Sequence, residues 1–182
     1  GLQRKDDGRF ALTTSTGTEF DTATVIIAAG LGAFQPRRLR APGAEEFAEK
    51  NVFYKITQAD KLAGKDIIIL GGGDSALDWT NELHDRVNSL ILIHRRLEYR
   101  AQPASVLKMK TLADKGQVRE FHGMVREVIS DDGEFRGLLV ADAEGNTHEI
   151  DADEVYVFWG LSPNLGPIAE WGLDIVKRQI QV

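Results

Sequence analysis

The chain contains no cysteine among its 182 residues. This absence excludes disulfide frameworks, thiolate nucleophiles, cysteine-bound metals and dithiol redox relays built from this chain. The four histidines are scattered, and none forms a close pair with metal-ligand spacing. They are His84, His94, His122 and His148. We therefore predict no metal site.

The chain also lacks long apolar runs and an excess of basic residues. No run is long enough to cross a bilayer, and no basic and apolar leader stands at the start, so we expect a cytoplasmic protein without a membrane partner. The 22 Lys and Arg against 28 Asp and Glu give a formal net charge of −6. Nucleic acid is therefore not an expected partner, because it requires a basic surface. The 42% of hydrophobic residues suffices for one good core.

From residue 65 onward the sequence alternates strands with helices. Two strands are near-continuous aliphatic runs, typical of a parallel sheet covered by helices. Turn signals at 131–133 and 144–146 indicate three short strands in an antiparallel meander. The predicted fold class is α/β, with a Rossmann-like parallel sheet, helices on both faces and a three-stranded antiparallel β-meander. The expected elements are strands at 66–70, 89–93, 117–121 and 154–158, and helices at 74–85 and from Pro103 to just before Gly116.

Two further segments indicate where the chain passes between domains. The apolar run Val25–Ala29, closed by Gly30, predicts a buried strand that ends in a tight turn. Prolines and a glycine between positions 36 and 43 indicate a linker, and we place a boundary near residue 38. Closely spaced glycines and prolines between positions 160 and 167 indicate a second crossing.

A glycine-rich turn follows the strand at 66–70 and opens the next helix. Its sequence Gly71-Gly72-Gly73-Asp74-Ser75-Ala76 fits the GxGxxG/A pattern of dinucleotide sites through its first, third and sixth residues. Gly71 allows the tight turn, Gly73 lets a pyrophosphate approach the backbone, and Ala76 lets the helix pack closely on the strand. The alternative is an ordinary strand-to-helix turn. We call Gly71–Gly73 the glycine turn.

The end of the second strand distinguishes the two common dinucleotides. An NAD site places an acidic residue there for the ribose 2′-hydroxyl, whereas an NADP site requires cations for the 2′-phosphate. This chain has His94-Arg95-Arg96, followed by Arg100. Guanidinium groups bind phosphate with bidentate, charge-assisted hydrogen bonds. The sequence therefore predicts an NADP(H) site, with a solvated basic patch as the alternative. His94 is expected near the adenosine or in a plain strand-end role.

Together these motifs resemble the two-dinucleotide-domain flavoprotein reductases, and among them the thioredoxin reductase-like ferredoxin–NADP reductases. Val25–Gly30 looks like the strand and turn that close the family's FAD domain, and 159–164 looks like the return crossing. The spacing of Arg95, Arg96 and Arg100 is the most specific match. Thioredoxin reductases proper would carry a CxxC pair shortly before the glycine turn. That stretch here, 51–58, has no cysteine, so a ferredoxin-type or related cysteine-free reductase is the better analogy.

The resemblance implies a division of the chain and a set of cofactors. Residues 1–38 would be a partial FAD-binding segment, 39–158 the NADPH-binding domain and 159–182 an incomplete return segment. The implied cofactors are NADP(H) here and FAD in the full-length parent, whose FAD motifs this chain lacks. Gly160 is expected on the nicotinamide side, together with Gly72 and Asp74. No catalytic residue is assigned to the chain.

The resemblance also implies a reaction and partners. The parent would be a homodimer that passes a hydride from NADPH to flavin and electrons to ferredoxin or a similar carrier. One alternative is a cysteine-free flavoprotein of the same architecture that reduces a quinone or free flavin. The other is a non-catalytic module that senses NADP(H).

Overall fold

The structure is a computed structural model that describes residues 1–28, 35–162, 165–176 and 179–181. The chain divides into two compact units, one formed by Gly1–Gln35 with Leu161–Val182 and the other by Pro36–Gly160. We describe each unit by itself. The assignment of 1–38, 39–158 and 159–182 to FAD- and NADPH-binding parts stays a prediction.

The larger part of the regular structure lies in the Pro36–Gly160 unit. In chain order the strands and α-helices of the described residues are β1 Leu2–Arg4, β2 Phe10–Thr13, β3 Glu19–Thr22, β4 Gln35–Pro36, β5 Val52–Phe53, β6 Asp66–Gly71, α1 Asp74–Leu83, β7 Ser89–His94, α2 Pro103–Asp114, β8 Arg119–His122, β9 Met124–Asp131, β10 Glu134–Ala141, β11 Thr147–Asp151, β12 Glu154–Phe158, β13 Leu161–Ser162, β14 Ile175–Val176 and β15 Gln179–Ile180. Short 3₁₀ helices cover Ala59–Leu62 and Gly166–Glu170.

The Pro36–Gly160 unit is built around a five-stranded parallel sheet in the order β5-β12-β6-β7-β8. Its central strands are the aliphatic runs that the sequence singled out, and Ile67, Ile68, Ile69 and Leu70 are each at most 1% exposed. Near-complete burial of successive residues means that both faces of the sheet are covered. The predicted parallel sheet is confirmed.

The two faces of this sheet are covered by different structures. Ile67 and Ile69 point to a core shared with Met109 and Leu112 of α2 and with Leu77 of α1. On the opposite face, the alternate side chains of β6 and β7 pack against the antiparallel sheet β11-β10-β9. The predicted α/β class and the meander are confirmed, but both described α-helices share one face. The meander covers the other because its apolar residues, Val128, Leu138, Val140 and Ile150 among them, fill that core.

The other unit contains two small antiparallel sheets. β1, β2 and β3 form one, and β14 pairs with β15 in a short hairpin. The buried strand predicted at 25–29 is wrong for the residues that the structure describes, since 24–28 lack strand structure and Ile26 is 87% exposed. An apolar run forms a strand only beside a neighbour that takes up its backbone hydrogen bonds, and no described strand pairs with it. Ala29 and Gly30 lie outside the described residues.

No helix in the described part of the chain combines the length and the apolar character that a membrane span requires.

Candidate functional site

The candidate site lies where β6 and β12 end, at the carboxyl edge of the parallel sheet. The chain runs from β6 to β7 and β8 on one side, then returns on the other side of β6 as β12. Ligands of open α/β sheets bind at such a reversal of strand order, outside the carboxyl ends of the strands. Phe158, at the end of β12, pairs with Gly71 at the end of β6. The glycine turn therefore opens directly into this crevice.

The first two glycines of the turn are required by the packing of the chain itself. A Cβ at Gly71 would lie 2.7 Å from the Cβ of Ala76 and 2.7 Å from the carbonyl oxygen of Phe158. A Cβ at Gly72 would collide with the imidazole ring of His94. The contacts at Gly71 bring α1 close to the sheet, which is the role expected for Ala76, whereas Gly71 was expected to allow the tight turn.

Gly73 differs from its two neighbours because no atom of the chain approaches it. A Cβ there would have nothing within 4 Å, and its backbone angles, φ −103° and ψ −178°, are extended. The protein fold therefore does not require glycine at this position. The absence of a side chain leaves space above the start of α1, as the sequence predicted for a pyrophosphate.

The amino end of α1 offers free hydrogen-bond donors beside that space. The first turn of an α-helix has N–H groups without partners inside the helix, and Gly73 has no side chain with which to cap them. Within the described residues, no hydrogen bond uses the N–H of Asp74 or Ser75. Free N–H groups and the helix dipole together favour an anion at this end.

Two hydrogen bonds attach the segment after β7 to the glycine turn and to the start of α1. The N–H of Arg100 donates to the carbonyl of Gly72 at 2.7 Å, and the N–H of Gln102 donates to the Asp74 carboxylate at 2.7 Å. The Asp74 side chain thus holds the chain that leads into α2. Residues 95–100, which we call the arginine loop, are fixed at one end beside the expected phosphate site.

The three arginines of the arginine loop are available for an anion. Arg95, Arg96 and Arg100 are exposed, and none of them forms an ion pair with another described residue. In a chain with net charge −6, three unpaired guanidinium groups on one loop form a local positive field. Their planar donors match the oxygens of a phosphate.

The imidazole ring of His94 lies between the glycine turn and the arginine loop. Its ring lies against Gly72 and stacks on Tyr99, with ring centroids 5.1 Å apart. Nε2 donates to the carbonyl of Glu98 at 3.1 Å. Burial lowers the pKa of His94, and the nearby Arg95, Arg96 and His122 add to that effect. The ring is therefore neutral at pH 7 and leaves phosphate binding to the arginines.

A polar network behind the loop holds Tyr99, and nothing in the sequence indicated it. The hydroxyl of Tyr99 donates to Glu120 at 2.7 Å. Glu120 also accepts from Lys110 at 2.6 Å and lies 2.8 Å from Nε2 of His122. Burial would raise the pKa of Glu120, but the hydrogen bonds from Lys110 and Tyr99 outweigh it and hold that pKa below its ordinary value. Burial raises the pKa of Tyr99 above its ordinary value, so its hydroxyl remains a donor.

The predicted residues come together around one cavity of about 610 Å³. Ten of the eleven line it, and the eleventh, Ala76, is buried beneath Gly71. The lining predicted from sequence is Gly71, Gly72, Gly73, Asp74, Ser75, His94, Arg95, Arg96, Arg100 and Gly160.

The cavity also includes residues that sequence reasoning missed. They are Arg37, Leu70, Ile93, Gly123, Met124, Val125, Phe158 and Trp159. Most stand at or just after the carboxyl ends of parallel strands, and this position in the strand was the signal that could have found them. Arg37 carried no such signal. The residues Pro163 and Asn164 of the expected return crossing lie outside the described residues.

The combination of donors and cations suits a ligand with more than one phosphate group. Helix N–H groups and an open glycine favour a pyrophosphate, and the arginine loop favours a further phosphate on the β7 side. The apolar carboxyl-end residues Met124 and Trp159 supply the wall expected of a site that also holds an aromatic ring.

Known proteins resemble the chain over its full length. A ferredoxin–NADP reductase 2 of Cupriavidus pinatubonensis is 46% identical over 181 residues, which cover 100% of this chain and 49% of that protein. A ferredoxin–NADP reductase of Polaromonas naphthalenivorans is 46% identical over 185 residues, covering 100% of this chain and 50% of that protein. The chain thus spans about half the length of the relatives it matches.

Solved structures show the same fold. The thioredoxin reductase of T. acidophilum superposes with a TM-score of 0.80 at 22% identity, covering 98% of this chain and 58% of that one. The family profile described as pyridine nucleotide-disulphide oxidoreductase matches residues 2–181. The match and the glycine-turn geometry agree, and the chain belongs to the pyridine nucleotide-disulphide oxidoreductase family.

Proposed function

We propose that the Pro36–Gly160 unit binds NADP(H) and that it serves an NADPH-dependent flavoprotein oxidoreductase of the ferredoxin–NADP reductase type. The observation that carries the first part is the arginine loop. Three unpaired arginines are attached through the Arg100 N–H to the carbonyl of Gly72, so that cations and the glycine turn face one cavity. NADH has no 2′-phosphate, so a site that binds only NADH would not require this positive charge.

The residues fit both phosphate-bearing parts of the phosphorylated dinucleotide. The space above Gly73 and the free N–H groups of Asp74 and Ser75 suit the pyrophosphate. Arg95, Arg96 and Arg100 suit the 2′-phosphate. When bound, NADPH would supply a hydride to the flavin of such an enzyme, and the reduced flavin would release a proton and give its two electrons to ferredoxin one at a time. The residues described here bind and orient the dinucleotide.

The second part of the proposal rests on relatives. The proteins named ferredoxin–NADP reductase share 44–46% of their aligned residues with this chain, and for this reason we propose FAD as the second cofactor and ferredoxin as the acceptor. The described residues contain one strand–glycine turn–helix unit, which the dinucleotide occupies in our proposal. We propose that the FAD site belongs to the full-length protein, and that this protein is cytoplasmic and assembles from two copies.

Calorimetric titration of the 182-residue chain with NADPH and with NADH tests the first part. We expect tighter binding of NADPH, because only it carries the phosphate for the arginine loop. Arg96→Glu should remove most of that preference, whereas Arg40→Glu, an exposed arginine outside the cavity, should leave it unchanged. Equal affinity of the unaltered chain for both dinucleotides would contradict the assignment.

Assay of the full-length protein with NADPH as donor tests the second part. Ferredoxin should be reduced faster than free flavin or a quinone. A preference for one of those acceptors would place the protein among the other cysteine-free reductases of this architecture. A colourless full-length protein would instead support a role in sensing NADP(H).

A further inference from the structure

NADPH carries negative charge at two places, the pyrophosphate and the 2′-phosphate, and the site described so far places cations at only one of them. The arginine loop follows β7 and lies on one side of the glycine turn. From Gly71 to Ser75 the turn and the start of α1 contain no basic residue. Backbone donors alone would then face the pyrophosphate.

Arg37 lines the same cavity and lies next to the end of β12. Its N–H donates to the carbonyl of Gly160 at 3.1 Å, and both residues line the cavity. Gly160 lies two residues after Phe158, which pairs with Gly71. Because β12 and β7 lie on opposite sides of β6, the backbone of Arg37 is attached on the side of the glycine turn away from the arginine loop.

The guanidinium group of Arg37 is free to bind a ligand, in contrast to that of the next residue. Within the described residues Arg37 has no ion pair, and its side chain is exposed. Arg38, by contrast, lies 3.6 Å from the carboxylate of Glu45 and 5.5 Å above the ring of Tyr54. Arg38 does not line the cavity. Two adjacent arginines thus have different surroundings, and only one of them faces the site.

We infer that Arg37 binds the pyrophosphate of the dinucleotide from the β12 side. The inference rests on the proposed function, and it assigns different roles to the arginines of the site. Arg95, Arg96 and Arg100 distinguish NADPH from NADH, whereas Arg37 contributes equally to both because both contain the pyrophosphate. The cavity then holds its ligand between cations on two sides of the glycine turn.

Fragments of the cofactor separate these two roles. ADP-ribose contains the pyrophosphate without the 2′-phosphate, and 2′-AMP contains the 2′-phosphate without the pyrophosphate. We would titrate both, with NADPH and NADH, into the 182-residue chain and into Arg37→Gln, Arg37→Lys and Arg38→Gln. Thermal unfolding of each variant shows whether the fold is retained.

The expected result for Arg37→Gln is a loss of affinity of about tenfold or more for ADP-ribose, NADH and NADPH alike, as for a lost charge-assisted hydrogen bond. The affinity for 2′-AMP and the ratio of NADPH to NADH affinity should stay unchanged. Arg37→Lys should recover part of the loss, because it keeps the charge but not the planar donors. Arg38→Gln should bind all four ligands as the unaltered chain does.

Two results would overturn the inference while leaving the proposed function intact. One is unchanged binding of ADP-ribose by Arg37→Gln. The other is an equal loss for 2′-AMP and ADP-ribose, which would indicate a general effect on the site. If the unaltered chain bound none of the four ligands, the proposed function itself would fail.

Discussion

At the scale of single residues, the three glycines of the glycine turn have different physical roles. Gly71 is required because a Cβ would meet the backbone of Phe158 and the side chain of Ala76. Gly73 has open space around it. Two reasons remain for glycine at that position, namely space for a ligand and the N-cap of α1, where glycine is favoured over alanine. A pair of alanine substitutions separates Gly71 from Gly73.

Gly71→Ala should destabilise the chain by about 1–3 kcal/mol, as overpacking of a close contact does. Gly73→Ala should lower the free energy of unfolding by at most about 0.5–1 kcal/mol, since its φ and ψ suit alanine but alanine is a poorer helix N-cap than glycine. It should also weaken binding of NADPH and NADH. Urea unfolding and calorimetric titration measure the two effects. Normal dinucleotide binding by Gly73→Ala would mean that the pyrophosphate lies elsewhere.

The titration of His94 makes the stability of the folded chain depend on pH. Burial holds the pKa of His94 below its ordinary 6.5, so the unfolded chain takes up a proton at a higher pH than the folded chain. As pH falls through 6.5 toward the folded pKa, the folded state should lose stability relative to the unfolded state. Ring-proton NMR should give a midpoint below 6.5, and His94→Gln should reduce the stability difference between pH 7.5 and pH 6. A midpoint at or above 6.5 would contradict this assignment.

At the scale of elements, the arginine loop is positioned by contacts from β8 and α2. Glu120 on β8 receives hydrogen bonds from Tyr99 in the loop and from Lys110 on α2. Because the carboxylate accepts from both, it connects β8, the arginine loop and α2. Tyr99 of the arginine loop is therefore held by a residue that does not line the cavity.

Glu120→Gln should lower the free energy of unfolding at pH 7 by on the order of 1–2 kcal/mol, through the loss of charge-assisted hydrogen bonds. The folded pKa of Glu120 is below the ordinary 4.5. Its contribution is thus fully present above about pH 4.5 and is lost as pH falls through the folded pKa. Urea titrations from pH 7 to pH 3 should show the two proteins converging. Glu127→Gln, an exposed position on β9, is the control and should show no such difference.

The sequence predicted most of these elements, for reasons that differ from one to the next. β6, β7 and α1 were found because continuous aliphatic runs and a glycine turn are local signals. α1 ends at Leu83, two residues earlier than expected, and the N–H of Arg86 donates to the carbonyl of Leu83 in an i→i−3 turn just beyond that end. The strand expected at 25–29 failed because strand formation depends on a neighbour, which no local pattern shows.

Within the site, local motifs predicted the glycine turn and the arginines. The Tyr99–Glu120 hydrogen bond joins residues 21 positions apart, and the hydrogen bond from Arg37 to Gly160 spans a still larger separation. Contacts of this kind follow from the order of strands in the sheet. Local sequence patterns do not give the order of the strands, and the structure was needed to establish it.

At the scale of the whole molecule, the core belongs to one of the two units. Every residue of both apolar clusters lies between Leu39 and Phe158, inside the Pro36–Gly160 unit. Among the described residues, the other unit, Gly1–Gln35 with Leu161–Val182, contributes no residue to these clusters. A unit that contains its own core should be able to fold by itself.

We expect the excised segment 36–160 to unfold in one cooperative transition, with a Tm within about 5 °C of that of the 182-residue chain. It should also retain the preference for NADPH, because all the residues that line the cavity lie within it. Differential scanning calorimetry with and without NADPH tests both statements. A segment without a cooperative transition would mean that residues outside the unit complete its core.

The position of β12 has a consequence for synthesis of the protein. β12 is the last strand of the parallel sheet to leave the ribosome, yet it lies between β5 and β6. Until residues 154–158 emerge, β6 has an open, aliphatic edge, and exposed edges of this kind pair with other chains. A nascent chain that stalls before β12 is thus the form of this protein most prone to aggregate, and the cofactor site can be completed only after that strand is in place.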